Sequence, residues 1–377
     1  MPAGLYSDAV GAAIRRASSA AQAGMQTLDE RMVEDLRRIY TDAAQQVRAA
    51  IEGAAAGAAR VKLDQLRGLL ERIDHVLDAL ASARTQLIID ALREAAGLGV
   101  EPLTEEGMRA AGGHAGLDAM GHAPHGVLSR MQALEQVDAA VLFTRNFRAA
   151  DGLNLSDRLW RVDRGAREAI HRGIEQAVVQ GWGADQAAQE LMMRGQAVPP
   201  DTQRAQGAAD VGKVVQAGVA TLENADSGAL ANSLRVARTE INRAHGEAYM
   251  SGAAAAPGVV GFRFLLSPRH PRVDICDLYA KQNLYGLGPG VYPDRARCPW
   301  PPHPNVLSFV VAVFAPEISA ADQAGKETTM QALERLGPDL RAGVLGPTKA
   351  TYFDQGVLTR GMVRATVGAV KRRLKQS

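Results

Sequence analysis

The feature that most limits the fold is a stripe of leucine and isoleucine, Leu63, Leu66, Leu70, Ile73, Leu77 and Leu80, recurring at three- and four-residue steps. An α-helix puts such residues on one face, whereas a strand would send them alternately to both. The helical pattern runs over residues 28–96, and Gly53 and Gly57 in EGAAAGAAR divide it into two long helices. The stripe suits a bundle core or the seam of an oligomer; the glycine break and the short heptad run favour the bundle. Hydrophobic residues make up 46% of the chain but aromatics only 5%, with alanine and glycine filling the difference. Small side chains favour closely packed helices, so the expected fold is mainly α with a small α+β domain. A chain of 377 residues can build a sizeable core without a metal or disulfide framework.

Residues 1–25 are small and polar with a short amphipathic piece around Ile14, and are expected to form a flexible arm that orders on a partner. Residues 26–150 form an extended helical region, interrupted over 97–126 by a glycine-rich loop carrying His114, His122 and His125. Three histidines without a cysteine or a fixed framework fit a loop better than a metal site. A central core is expected over 151–315. It opens with Asn154 or Ser156 as N-cap of a helix that turns Leu159, Val162, Ala166, Ala169, Ile170 and Ile174 inward. Gly181, Trp182 and Gly183 are expected to end that helix, and Pro199-Pro200 opens a polar linker. Residues 316–377 read as a tail of two or three helices.

The segment LANSLRVARTEINRAHGEAYMSG is a helix with Leu230, Leu234, Ala237, Ile241, Ala244 and Ala248 inward. Arg238, Asn242, His245 and Tyr249 line a second, polar stripe. It is either a solvated face or a partly buried network in which Arg238, Glu240 and Asn242 anchor neighbouring loops. Residues 259–266 then alternate as a strand, with Val260, Phe262, Phe264 and Leu266 on one side, and residues 306–314 make a second strand. The proline- and glycine-rich segment between them, 267–305, is too broken to be a helix and too long to be a casual loop. It holds both cysteines. Cys276, Cys298 and His303, with Asp274 or His270 as a fourth donor, offer the sulfur and nitrogen mix that suits Zn²⁺. Buried cysteines and proline–aromatic packing would hold the segment without an ion.

With 43 basic and 41 acidic residues, the net charge of +2 gives no overall drive toward nucleic acid or anionic lipid. Lys371, Arg372, Arg373 and Lys375 offer local phosphate contacts, or serve only as a solvated helix end that complements the helix dipole. No window approaches the ~20 apolar residues of a membrane span, and two cysteines suit a reducing compartment, so the cytosol or a particle assembled there is expected. No P-loop, HExxH, GxSxG or GxGxxG motif in strand–helix context points to an enzyme. The rival class is a metal-dependent hydrolase or nuclease in which His270, Asp274 and His303 hold an ion and activate water.

RTEINRA followed by a strand, then HPRVDICD, YGLGPGVYP and PHPN, resembles the phage Mu protein F-like head-morphogenesis family of minor capsid proteins. The resemblance covers about residues 150–315, and RAGVLGPTKATYFDQGVLTRGMV is similar to the end of such proteins. It implies a virion structural protein at the portal vertex of the head. The implied partners are the portal protein, the major capsid or other head proteins and packaged DNA, with an oligomer on the portal ring. The family commonly places a cysteine directly after HPN, where this chain has Val306, so His270 or Asp274 would have to complete any ion site.

Overall fold

A computed structural model describes residues 3–55, 63–111, 127–149, 151–193, 211–223, 228–256, 258–268, 270–304, 306 and 308–376. Helix α1 spans Ala3–Ala55, α2 Leu63–Val100, α3 Glu105–Ala110, α4 Arg130–Asn146, α5 Leu155–Met193, α6 Val211–Glu223 and α7 Ala229–Ala253. Then come β1 (Val259–Leu265), α8 (Ile275–Lys281), β2 (Val291–Tyr292) and β3 (Phe309–Phe314). Five short helices follow: α9 (Ala320–Ala324), α10 (Thr329–Arg335), α11 (Gly337–Leu345), α12 (Pro347–Asp354) and α13 (Val367–Gln376). The fold is mainly α with a small α+β part, as periodicity and composition predict.

By its packing the chain forms two units, one from residues 28–91 and 145–238, the other from residues 1–27, 92–144 and 239–377. These units cut across the linear division at residues 25, 150 and 315, because long helices lend different stretches to different cores.

The first unit is helical. Ile73, Leu77 and Leu80 of the predicted stripe are buried, but at its start Leu69 is fully buried while Leu66 and Leu70 are only half-buried. Leu28, Met32, Leu36, Val47 and Ile51 of α1 and Leu159, Ile170 and Ile174 of α5 add to the buried apolar residues. Asn154 caps α5: its Oδ1 accepts from the Asp157 amide at 2.9 Å, and the Asp157 carboxylate accepts back from the Asn154 amide at 3.1 Å. Helix α5 runs through Gly181 and Gly183 to Met193, so these glycines do not end it. A helix interior tolerates a glycine at a cost of ~1 kcal/mol. Buried Arg84 makes a two-pronged ion pair with Asp163, Nη2 to Oδ2 being 2.8 Å.

The second unit holds the sheet, antiparallel in order β2-β1-β3 with Phe262 opposite both Tyr292 and Ala312. Phe262 and Phe264 are buried as the alternation predicts, whereas Val260 and Leu266 are half-buried. Strand β3 begins at Phe309 rather than at Val306. Residues 3–25, expected as a flexible arm, are instead the first turns of α1. Val10, Ala13, Ile14 and Ala17 belong to the same core as Phe262, Phe264, Tyr249 and Phe314. Their spacing of three and four residues in an alanine-rich stretch is a helix signal that outweighs the small-polar composition. Ser18 donates to the Tyr249 hydroxyl at 3.1 Å, and that hydroxyl accepts from the Ala312 amide at 2.9 Å.

The tail has five short helices rather than two or three. Capping boxes at Ser319 and Thr328 start α9 and α10, while Gly337-Pro338 and Gly346-Pro347 open α11 and α12. They enclose a second core of Leu278, Leu333, Leu345, Leu358, Met362, Val363 and Val370. His114, His122, His125, Gly57, Pro199 and Pro200 lie outside the described residues.

Candidate metal centre

The chain between β1 and β3 starts with a helix, contrary to the expectation from its proline and glycine content. Asp274 caps α8 by accepting from the Cys276 amide at 2.7 Å, and Asp277 reaches back to the Asp274 amide at 3.1 Å. The D-x-x-D spacing of this capping box was present in the sequence and is the signal that composition masked. The chain then turns through Gly286, Gly288 and Gly290, all at positive φ. A side chain at Gly290 would sit 2.7 Å from the Ala280 carbonyl oxygen, so only glycine lets the chain enter β2 here. Buried Tyr292 donates to the Tyr279 carbonyl at 3.0 Å and accepts from Gln282 Nε2 at 2.7 Å, tying β2 to α8.

Helix α7 holds the other end of the segment. Asn242 Nδ2 donates to the Val306 carbonyl at 3.1 Å, and Trp300 Nε1 donates to the Asn242 carbonyl at 3.0 Å. Trp300 lies so close over Gly246 that a β-carbon there would come within 2.0 Å of its Nε1. Arg295 pairs with Glu247 at 2.5 Å and stacks on Phe143. Of the three residues expected to anchor loops, Asn242 does so. Arg238 grips Asp29 of α1, at 2.8 and 3.1 Å, and buried Glu240 takes Arg243 one turn on in its own helix at 2.9 Å. Helix α7 is packed on its polar side as well: His245 and Tyr249 are buried with their rings stacked.

These anchors bring Asp274, Cys276 and His303 together, their donor atoms all within 4.8 Å of one another. His303 Nε2 is 3.0 Å from Cys276 Sγ and 3.2 Å from Asp274 Oδ2. Its Nδ1 is 2.8 Å from the Pro304 carbonyl. A carbonyl only accepts, so Nδ1 donates to it, and Nε2 is the ring nitrogen turned to the thiol and carboxylate, the one available to a metal. Burial, and next the Asp274 charge, push the Cys276 thiol well above its ordinary range. A thiolate at this position therefore calls for a cation beside it.

Asp274 also belongs to a second group with His270 and Asp277. His270 Nε2 is 3.0 Å from Asp277 Oδ2 and 3.7 Å from Asp274 Oδ1, while Lys281 approaches Asp277 at 3.4 Å. Sequence reasoning had passed over Asp277.

Cys298 does not join either group. It is buried in the sheet core with Tyr292, and burial followed by the Asp294 charge pushes its thiol up to about 12. Val306 is buried in the same core, so the position after HPN serves packing here.

No family model, curated protein or solved structure matches this chain. No helix among the described residues is long and apolar enough to cross a membrane.

Proposed function

We propose that this chain is a minor head protein of a phage or prophage, of the Mu F-like head-morphogenesis kind, acting at the portal vertex. Its partners are the portal protein and other head proteins, the major capsid protein among them, with several copies on the portal ring. It is carried in the virion after assembly in the host cytoplasm. The observation that carries this is the convergence of the motif-bearing segments: the RTEINRA helix, the HPRVDICD helix start, the YGLGPGVYP turn and the PHPN approach to β3 pack as one fastened element. Its named polar side chains hold backbone and neighbouring side chains, which suits a scaffold that presents a fixed surface. Co-purification with the cognate portal protein tests it: a stable complex is expected, and no complex at micromolar concentrations of both would overturn it.

Within this function the ion is zinc, held by Asp274, Cys276 and His303, and His270 approaches Asp274 from the second group. Bound zinc would supply folding free energy, joining the start of α8 to the chain entering β3. The alternative reading, a metal-dependent hydrolase or nuclease, draws on the His270, Asp274 and Asp277 group, whose oxygen and nitrogen donors would leave room for water. Metal-stimulated cleavage of a phosphodiester or ester by the purified chain, abolished by His270→Ala, would favour it.

A further inference from the structure

We propose that the exposed basic surface made by α13 and the turn before it binds the phosphate backbone of double-stranded nucleic acid. From Gln355 onward the chain carries Arg360, Arg364, Lys371, Arg372, Arg373 and Lys375 and no acidic residue. The other 37 basic residues face all 41 acids, so the rest of the chain is net negative and the positive charge is concentrated here.

The structure leaves all six exposed, on α13 and on the turn packed beside it. Helix α13 buries Val370 and turns Leu374 against the second core, which leaves Lys371, Arg372, Arg373 and Lys375 exposed. Arg373 Nη1 approaches the Gly361 carbonyl at 3.5 Å, setting the helix beside the turn that carries exposed Arg360 and Arg364. Lys349 pins that turn by donating to the Val363 carbonyl at 2.7 Å, and Arg364 stands over the Tyr279 ring.

A helix-dipole role accounts only for Arg373 and Lys375, the cations of the last turn, and leaves Arg360, Arg364, Lys371 and Arg372 unexplained. A lipid surface would require an apolar face to insert, and the apolar face of α13 is already in the core. Single-stranded nucleic acid is gripped by stacking aromatics, and the sequence has none beyond Phe353. Cations without aromatics or an apolar edge match a regular row of duplex phosphates, read without base sequence. The inference holds independently of the head assignment.

The test is fluorescence anisotropy of the full chain with a mixed-sequence DNA duplex from 50 to 300 mM KCl. Binding should weaken with salt along a log–log slope of about −4 to −5, each phosphate contact adding about −0.9. The variant Arg360→Gln, Lys371→Gln, Arg372→Gln, Lys375→Gln should lose at least ~10-fold in affinity at the lowest salt and flatten the slope by about 3.6 units. A variant neutralising four other exposed cations, Arg16→Gln, Arg37→Gln, Arg93→Gln and Arg172→Gln, should keep the wild-type slope. Overturning results are no duplex binding at 50 mM salt, equal losses in both variants, tighter binding to single strands, or binding to phosphatidylserine vesicles in preference to duplex. Circular dichroism melting of both variants identifies any loss of fold, and the wild-type salt slope and ligand preference decide the matter without them.

Discussion

His245 is buried in α7 with Nε2 unpartnered, and burial lowers its pKa from the ordinary 6.5 to about 4. The unfolded chain therefore takes up a proton that the folded chain refuses. Stability is full above pH 6.5 and declines as pH falls from 6.5 toward 4, at about 1.4 kcal/mol per unit. Between pH 6.5 and 5 the wild type should lose about 2 kcal/mol more than His245→Leu in urea unfolding; identical losses would show that His245 is hydrated in the fold. The two cysteines separate in the same way. Elemental analysis of protein purified without chelator should find zinc in the wild type and in Cys298→Ser, and lose it in Cys276→Ser and His303→Gln. Loss in Cys298→Ser alone would place the site elsewhere. Cys276, His303, Asp274 and His270 were legible as donors from residue type, but Cys298 was not separable from them, because sequence gives chemistry and not direction. Asp277 was missed because the proline and glycine around it masked its D-x-x-D spacing with Asp274, and its place beside His270 appears only once α8 is formed.

Helices with strong periodicity were legible as elements, and the errors lie where composition was allowed to speak over spacing. Residues 3–25 looked like an arm because alanine, serine and glycine dominate, yet Ile14 is fully buried. Ile14→Ala should destabilise the chain by about 2–4 kcal/mol in urea unfolding, whereas Leu134→Ala on the exposed side of α4 should cost under ~0.5 kcal/mol. Equal small effects would return residues 3–25 to the status of an arm. Helix α8 was hidden by the prolines and glycines flanking it. The buried face of β1 was readable from alternation at Phe262 and Phe264 but not at Val260 and Leu266, while two-residue β2 has too little pattern to be seen. Gly246→Ala tests how firmly α7 holds the segment: the added β-carbon must displace Trp300, so a loss of about 1–3 kcal/mol is expected, with a change in Trp fluorescence. Unchanged stability would mean the indole moves aside freely.

At the scale of the molecule, the mainly helical class with a small sheet followed from periodicity and scarce aromatics, but the two packing units did not. A linear reading assigns each residue to one neighbourhood in turn, whereas α1, α2 and α7 each serve two cores. The order RTEINRA, strand, HPRVDICD, YGLGPGVYP, PHPN was visible as motifs; that Trp300 and the Val306 carbonyl bond to α7 while Tyr292 ties β2 to α8 required coordinates. The proposed function rests on that packing, and the most direct measurement is quantitative mass spectrometry of phage heads purified after induction of the strain that carries the gene for this chain. The chain should be present at a few copies per particle alongside the portal protein. Its absence from both heads and assembly intermediates would contradict the account.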